Sequence, residues 1–168
     1  LCMAVSGKCY LSLDNQGSSA NRGACMQQCR RKYVVTDKET GTELEVDNEY
    51  IMSAKDLKTI GFIDRMMAAG VSVFKIEGRA RSAEYVYTVV RCYKEAIQAV
   101  QEGTFTPEKV EDWNQRLATV FNRGFWDGYY QGQKMGEWSK SHGSIATEKK
   151  VYVGKGIKYF SKLGVAEF

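Results

Sequence analysis

The chain has 168 residues, 43% hydrophobic and 26% charged, a balance typical of one globular domain or of a domain with part of another. Its 24 basic and 20 acidic residues leave a net charge of +4, which permits nucleic acid binding without arguing for it. The single histidine, His142, excludes a multi-histidine metal site. No apolar run approaches the roughly 20 residues of a membrane span, and we expect no secretion signal, because residues 1–3 begin neither a charged nor an apolar signal region. We therefore expect a cytoplasmic protein.

The first third of the sequence predicts loops and short strands. Residues 1–12 alternate loosely between apolar and polar, which indicates a short strand running into a polar loop. Residues 25–33 predict one or two helical turns. Residues 33–36 and 43–46 predict a hairpin whose turn contains residues 38–41.

A helix, a strand and a second helix are predicted next. Ser53 is expected to cap a helix whose apolar residues recur at helical spacing until Gly70. Residues 71–76 form a short apolar run that predicts a strand, and Ser82 caps a helix that ends at Gly103. This order predicts a β/α unit of a parallel sheet, and the chemistry of such sheets lies at the carboxyl ends of their strands.

The last third predicts a helix and a new β unit. Residues 106–121 predict a helix that begins with threonine and proline. The aromatic and glycine-rich residues 121–130 suit either the stacking of RNA bases or packing against the helices. Residues 151–154 and 157–160 predict strands. We therefore divide the chain into regions 1–105, 106–148 and 149–168.

Four of the five cysteines lie within the first 29 residues, whereas Cys92 stands alone in a helical pattern. Their spacing is C-x6-C-x15-C-x3-C. Disulfides need an oxidising compartment, and structural zinc usually takes two short cysteine pairs, of which only Cys25 and Cys29 form one. A 4Fe–4S cluster tolerates irregular spacing. Spacing alone leaves a metal, a cluster and unrelated free thiols as alternatives.

Charged residues form two further groups. Arg30, Arg31 and Lys32 follow the last of these cysteines and either offset thiolate charge or form a solvated patch. The other group follows the strand predicted at 71–76, at the position where parallel sheets place their chemistry. It consists of Lys75, Glu77, Arg79 and Arg81. The alternative for this group is a structural ion pair.

Four segments match the order of motifs in a known family. Residues 2–12 read CMAVSGKCYLS, residues 21–33 read NRGACMQQCRRKY, residues 75–79 read KIEGR and residues 121–125 read FNRGF. Together they resemble peptidase family U32, the collagenase-like peptidases, over nearly the whole chain. The resemblance implies an α/β fold in which a (β/α) TIM-like barrel precedes a small β domain. This chain would then hold the C-terminal part of the barrel, trailing helices and the start of the β domain, and we expect it to be a piece of a longer protein.

The resemblance also implies a chemistry. Members of the family are similar in carrying a 4Fe–4S cluster and in oxygen-independent hydroxylation, in one branch forming 5-hydroxyuridine in transfer RNA with prephenate as a co-substrate. The implied cluster ligands are Cys2, Cys9, Cys25 and Cys29, and the alternative is a zinc-stabilised module without catalysis.

Further roles follow for the charged residues. Arg79 and Arg81 would grip the carboxylates of a prephenate-like dicarboxylate, with Lys75 as an added charge and Glu77 as an acid or base. The residues expected to contact RNA phosphates are Arg30, Arg31, Lys32 and Arg123.

The name of the family suggests peptidase activity as the alternative. A cysteine or serine peptidase needs a histidine beside its nucleophile, and His142 lies in a polar stretch. The zinc-peptidase motif His-Glu-x-x-His is absent from the sequence.

Overall fold

The computed structural model shows a mixed α/β architecture of four helices, two 3₁₀ turns and six short strands among the described residues. The structure describes residues 9–18, 20, 25–46, 48–78, 81–132, 137–152 and 154–167. In the described part of the chain, no helix is long and apolar enough to cross a membrane.

The amino-terminal region is helical where a strand was predicted. Helix α1 spans Tyr10–Gln16 and contacts a 3₁₀ turn at Gln28–Arg30. The strand prediction is therefore wrong for residues 10–12, and residues 1–8 lie outside the described residues. Gly17 ends the helix in the left-handed conformation (φ 60°), where its N–H bonds to the Leu13 carbonyl at 2.8 Å.

The predicted hairpin is confirmed in a shorter form. Strands β1 (Val35–Thr36) and β2 (Glu43–Leu44) pair antiparallel, with Val35 opposite Leu44. The Asp37 carboxylate accepts the backbone N–H groups of residues 39 and 40, which fixes the turn.

A strand replaces the helix predicted after Ser53. Strand β3 (Asp56–Leu57) pairs in parallel with strand β4 (Phe125–Trp126), and Ser53 is fully buried. The helical segment begins later, as a 3₁₀ turn at Ile60–Phe62 followed by helix α2 (Ile63–Ala68). The parallel pairing supplies hydrogen bonds from a distant part of the chain, which local sequence patterns do not reveal.

The strand predicted at residues 71–76 is also wrong. These residues belong to no strand in the structure, and the parallel pair among the described residues is β3 with β4. A strand requires hydrogen bonds from a neighbouring strand, and the apolar sequence alone does not provide one.

Helices α3 (Ala83–Gln101) and α4 (Pro107–Thr119) are confirmed with their caps. The Ser82 hydroxyl accepts the Tyr85 N–H at 3.2 Å, and the Thr106 hydroxyl caps α4 in the same way. The two helices pack on each other. Helix α4 also contacts the 3₁₀ turn at Ile60–Phe62, and helix α3 contacts helix α2. The buried core consists of Ile60, Ile63, Val89, Cys92, Ala96, Ala99, Trp113, Leu117 and Val120.

The carboxyl-terminal strands are confirmed in part. Strands β5 (Lys158–Phe160) and β6 (Val165–Glu167) form an exposed antiparallel pair. Residues 151, 152 and 154 lie in no strand, and residue 153 is outside the described residues.

Candidate cysteine and arginine site

Three of the predicted ligand cysteines are described, and none of the three forms a disulfide bond within the described residues. Cys25 is exposed, whereas Cys9 and Cys29 are half-buried. Cys9 marks the amino-terminal boundary of α1, and Cys29 lies in the 3₁₀ turn that α1 contacts. This packing brings the segments that carry Cys9 and Cys29 together. Cys2 lies outside the described residues.

A tight loop joins Cys25 to Cys29. Gln27 adopts the left-handed conformation (φ 52°), which a residue with a side chain rarely does. Its backbone N–H donates to the Cys25 sulfur at 3.4 Å. This contact fixes the backbone of the loop beside the Cys25 sulfur.

Arg30 anchors the end of this loop to the body of the protein. Its side chain is only 5% exposed and donates to the Ser53 hydroxyl at 3.0 Å and to the Ala54 carbonyl. Its own carbonyl oxygen lies 2.8 Å from the Nδ1 atom of His142. Contact of Arg30 with RNA stays a prediction, but the guanidinium is buried and hydrogen-bonded to the protein.

Arg123 holds the same loop from the α4–β4 connection. It is 8% exposed, and its Nη2 atom donates to the Gln27 side-chain oxygen at 3.3 Å. Its backbone N–H donates to the Asp56 carboxylate at 3.0 Å. Its Nε atom is buried and has no hydrogen-bond partner among the described residues.

The environment of Arg123 is rich in positive charge. Burial lowers the pKa of Arg123, and the nearby charges of Arg30 and Arg81 lower this pKa further, whereas Asp56 and Cys29 raise it. Three separate segments contribute guanidinium groups near the loop: Arg30 ends it, Arg123 donates to Gln27 within it, and Arg81 lies over the same Phe121 ring as Arg123. We call Arg30, Arg81 and Arg123 the arginine cluster.

An aromatic ring lies beneath two members of the cluster. The guanidinium carbon of Arg81 is 3.8 Å from the centre of the Phe121 ring, and that of Arg123 is 4.8 Å away. Arg81 also lies 5.8 Å from the centre of the Tyr85 ring, whose hydroxyl pKa is raised mainly by burial. Stacking on aromatic faces orients the planar guanidinium groups.

The other residues predicted to bind RNA or a dicarboxylate, where the structure describes them, lie on the surface outside the arginine cluster. Arg31 and Lys32 are exposed, and Lys32 forms an ion pair with Glu49. Lys75 and Glu77 are exposed as well. Arg79 lies outside the described residues, so the predicted dicarboxylate group is described only in part.

Cysteine thiols are suitable ligands for a metal ion or an iron–sulfur cluster, but those in the described residues do not converge on a common point. No group of three or more cysteine, histidine or acidic side chains converges there as a set of ligands. Cys92 is separate from this site, because it is fully buried in the core and burial raises its thiol pKa.

Sequence analysis missed two members of the site. Asp56 lies in a two-residue strand, too short to show a period, and Phe121 was grouped with the aromatic segment without a role of its own. The FNRGF segment was the available signal for Phe121, since it places an aromatic ring two positions before Arg123.

The fold and the site together define an α/β protein with a cysteine loop beside an arginine cluster. The profile of Peptidase family U32 matches residues 1–140, and the chain belongs to this family. The match confirms the resemblance found in the four sequence segments. No solved structure matches the chain.

Curated relatives carry two kinds of name. The chain is 70% identical to a "Collagenase" of Porphyromonas gingivalis, over all of this chain and 41% of that protein. It is 38% identical to the "tRNA hydroxylation protein P1" of Bacillus subtilis, over 83% of this chain and 36% of that protein. It is 37% identical to the "23S rRNA 5-hydroxycytidine C2501 synthase" of Escherichia coli, over 61% of this chain and 15% of that protein. The chain thus spans less than half the length of these relatives.

Proposed function

We propose that the chain is part of an enzyme that hydroxylates RNA without molecular oxygen, forming 5-hydroxyuridine in transfer RNA. The observation that carries the proposal is the junction of the cysteine loop with the arginine cluster, because Arg30 directly follows Cys29 and Arg123 donates a hydrogen bond to Gln27. Such a junction suits a redox group beside a site for an anionic reactant. The names of the tRNA and rRNA hydroxylation relatives support this reading.

The proposed cofactor is a 4Fe–4S cluster. Its ligands would be Cys2, Cys9, Cys25 and Cys29, and zinc is the alternative. Three of these four lie in the described part of the chain, where they form no disulfide bond and are at least partly accessible, whereas Cys92 is buried in the core. When bound, a cluster supplies electron transfer or an open iron site, neither of which a side chain offers. The arginine cluster would place positive charge near the Cys29 thiol.

The proposed reactants are transfer RNA and a prephenate-like dicarboxylate. Arg31 and Lys32 are exposed next to the loop, where they can meet RNA phosphates. The dicarboxylate would meet the group formed by Lys75, Glu77, Arg79 and Arg81. The proposal places these groups in a (β/α) barrel whose C-terminal part is this chain, in a cytoplasmic enzyme.

Peptidase activity is the second candidate, because a relative at 70% identity bears the name Collagenase. The described residues offer it little support. A cysteine or serine peptidase needs a histidine beside its nucleophile, whereas the hydrogen bond of the His142 ring joins Nδ1 to the backbone carbonyl oxygen of Arg30 and not to a cysteine or serine side chain.

Nucleoside analysis of transfer RNA tests the proposal. A strain that lacks the gene is complemented with the full-length protein, and digested tRNA is analysed by mass spectrometry. We expect wild type to restore 5-hydroxyuridine, Cys25→Ser to abolish it and Cys92→Ala to retain it. Equal 5-hydroxyuridine in the deleted and complemented strains would contradict the proposal. Cleavage of denatured collagen by the same purified protein would favour the peptidase instead.

A further inference from the structure

We propose that the arginine cluster is a binding site for a small oxyanion, a carboxylate or a phosphate group. The proposal concerns binding alone, so it stands whether the full protein is a hydroxylase or a peptidase. It assigns Arg30 and Arg123, which sequence analysis associated with RNA phosphates, to an internal site.

The first support is the crowding of like charges. Arg123 is 8% exposed and Arg30 is 5% exposed; Arg30 ends the loop that begins at Cys25, and Arg123 donates to Gln27 within that loop. Arg81 approaches the same Phe121 ring as Arg123. Asp56 supplies one carboxylate at this site, which accepts the Arg123 backbone N–H at 3.0 Å. A bound anion would add negative charge beside the three guanidinium groups, and its binding would therefore stabilise the folded protein.

The second support is a donor without an acceptor. The Nε atom of Arg123 is buried and has no hydrogen-bond partner among the described residues, although Nη2 of the same group reaches Gln27. A guanidinium presents its donors as a fixed fork that fits two oxygens of a carboxylate or phosphate. A small rotation of the Arg123 side chain would let one anion accept from Nε and from a terminal nitrogen.

Burial also sets the size of the ligand. The backbone of a folded RNA cannot reach guanidinium groups that are more than nine-tenths buried, whereas a small anion can enter beside the half-buried Arg81. The Phe121 ring, over which Arg81 and Arg123 lie, gives the proposed site one apolar side. The site therefore favours a small oxyanion over a polymer.

Calorimetric titration of the native full-length protein with malonate and with inorganic phosphate tests the proposal, at constant ionic strength set with chloride. We expect saturable binding of at least one anion. Tighter binding of malonate identifies a carboxylate ligand, and tighter binding of phosphate identifies a phosphate group. Arg123→Gln should weaken binding at least about tenfold, equivalent to 1.4 kcal/mol. The matched control is Arg65→Gln, which removes an exposed arginine 5.7 Å from the ring centre of another phenylalanine, Phe62, and should leave the affinity unchanged.

A second pair of variants keeps the test decisive if Arg123→Gln does not fold. Arg123→Lys retains the charge but loses the fork, and Arg81→Gln removes a more exposed member of the cluster; each should weaken binding. Circular dichroism checks that the variants are folded. The proposal is overturned if neither anion binds above the chloride control, or if the cluster variants bind as tightly as Arg65→Gln. Because the readout is binding, this failure would leave the 5-hydroxyuridine result unaffected.

Discussion

The buried guanidinium of Arg123 donates a hydrogen bond at 3.3 Å to the side-chain oxygen of Gln27, joining two positions that are 96 residues apart. Gln27 occupies a left-handed conformation and directs its own N–H to the Cys25 sulfur. The α4–β4 connection therefore helps to set the shape of the loop between Cys25 and Cys29.

Removing this contact should loosen the cysteine loop. Arg123→Ala removes a charged hydrogen bond, which contributes about 1.5–3 kcal/mol in proteins. We expect amide hydrogens of residues 25–30 to exchange roughly tenfold faster or more. Hydrogen-exchange mass spectrometry of the native protein measures the change, with Arg65→Ala as the control. Unchanged protection of residues 25–30 would show that Arg123 does not shape the loop.

Arg30 should contribute to stability despite its charge. Arg30→Ala leaves the Ser53 hydroxyl and the Ala54 carbonyl without their buried donor. We expect a loss of about 2–3 kcal/mol in the free energy of unfolding, because the lost hydrogen bonds are charged. The neighbouring Arg31 is exposed, and Arg31→Ala should change stability by less than about 0.5 kcal/mol. Equal denaturation midpoints for the two variants would contradict this role.

The cap of helix α3 offers a test of local structure. Ser82→Ala removes the acceptor of the Tyr85 N–H and should destabilise the protein by about 1 kcal/mol. Ser82→Asp retains an acceptor and adds a charge that suits a helix amino terminus, so it should keep wild-type stability. Thermal unfolding distinguishes the variants. Equal unfolding temperatures for the alanine and aspartate variants would argue against the cap.

Acid sensitivity should arise in part from Glu95. Hydrogen bonds from Arg116, followed by those from Trp113 and Arg91, lower the pKa of Glu95 from 4.5 to about 2, against the opposing effect of burial. Since the folded pKa is depressed, this stabilisation is complete above the unfolded pKa and is lost as the pH falls from about 4.5 towards 2. The side chain is 35% exposed, so solvent screening reduces the contribution to about 1 kcal/mol.

Denaturant unfolding at pH 5 and pH 2.5 measures this contribution. Glu95→Gln should remove about 1 kcal/mol of the difference in unfolding free energy between the two pH values. Glu111→Gln, at an exposed position of α4, should leave the difference as in wild type. A wild-type difference that persists in Glu95→Gln would assign the acid sensitivity to other groups.

Local signals predicted helices α3 and α4, but they did not predict α1, which was expected to be a strand, or the late start of the helical segment after Ser53. Helices α3 and α4 combine caps at Ser82 and Thr106 with long periodic faces, and both form where predicted. Strand β3 has two residues and exists through its pairing with β4, so no local period could reveal it. The apolar segment at 71–76 has a strand-like sequence but no paired strand among the described residues.

The site was predictable in its residues but not in its geometry. The cysteines and Arg30, Arg81 and Arg123 stand out by type and spacing in the sequence. Their burial depends on partners far along the chain, such as Ser53 for Arg30 and Gln27 for Arg123. Arg30 and Arg123, which the sequence associated with RNA phosphates, are therefore buried residues beside the cysteine loop.

Iron, zinc and acid-labile sulfide in the native full-length protein, purified without oxygen, test the central claim most directly. We predict about four irons and four sulfides per chain, as in a 4Fe–4S cluster, with the content lost in Cys25→Ser and retained in Cys92→Ala. About one zinc without sulfide, or no metal at all in the wild-type protein, would contradict the assignment of the cysteine loop to a redox cluster.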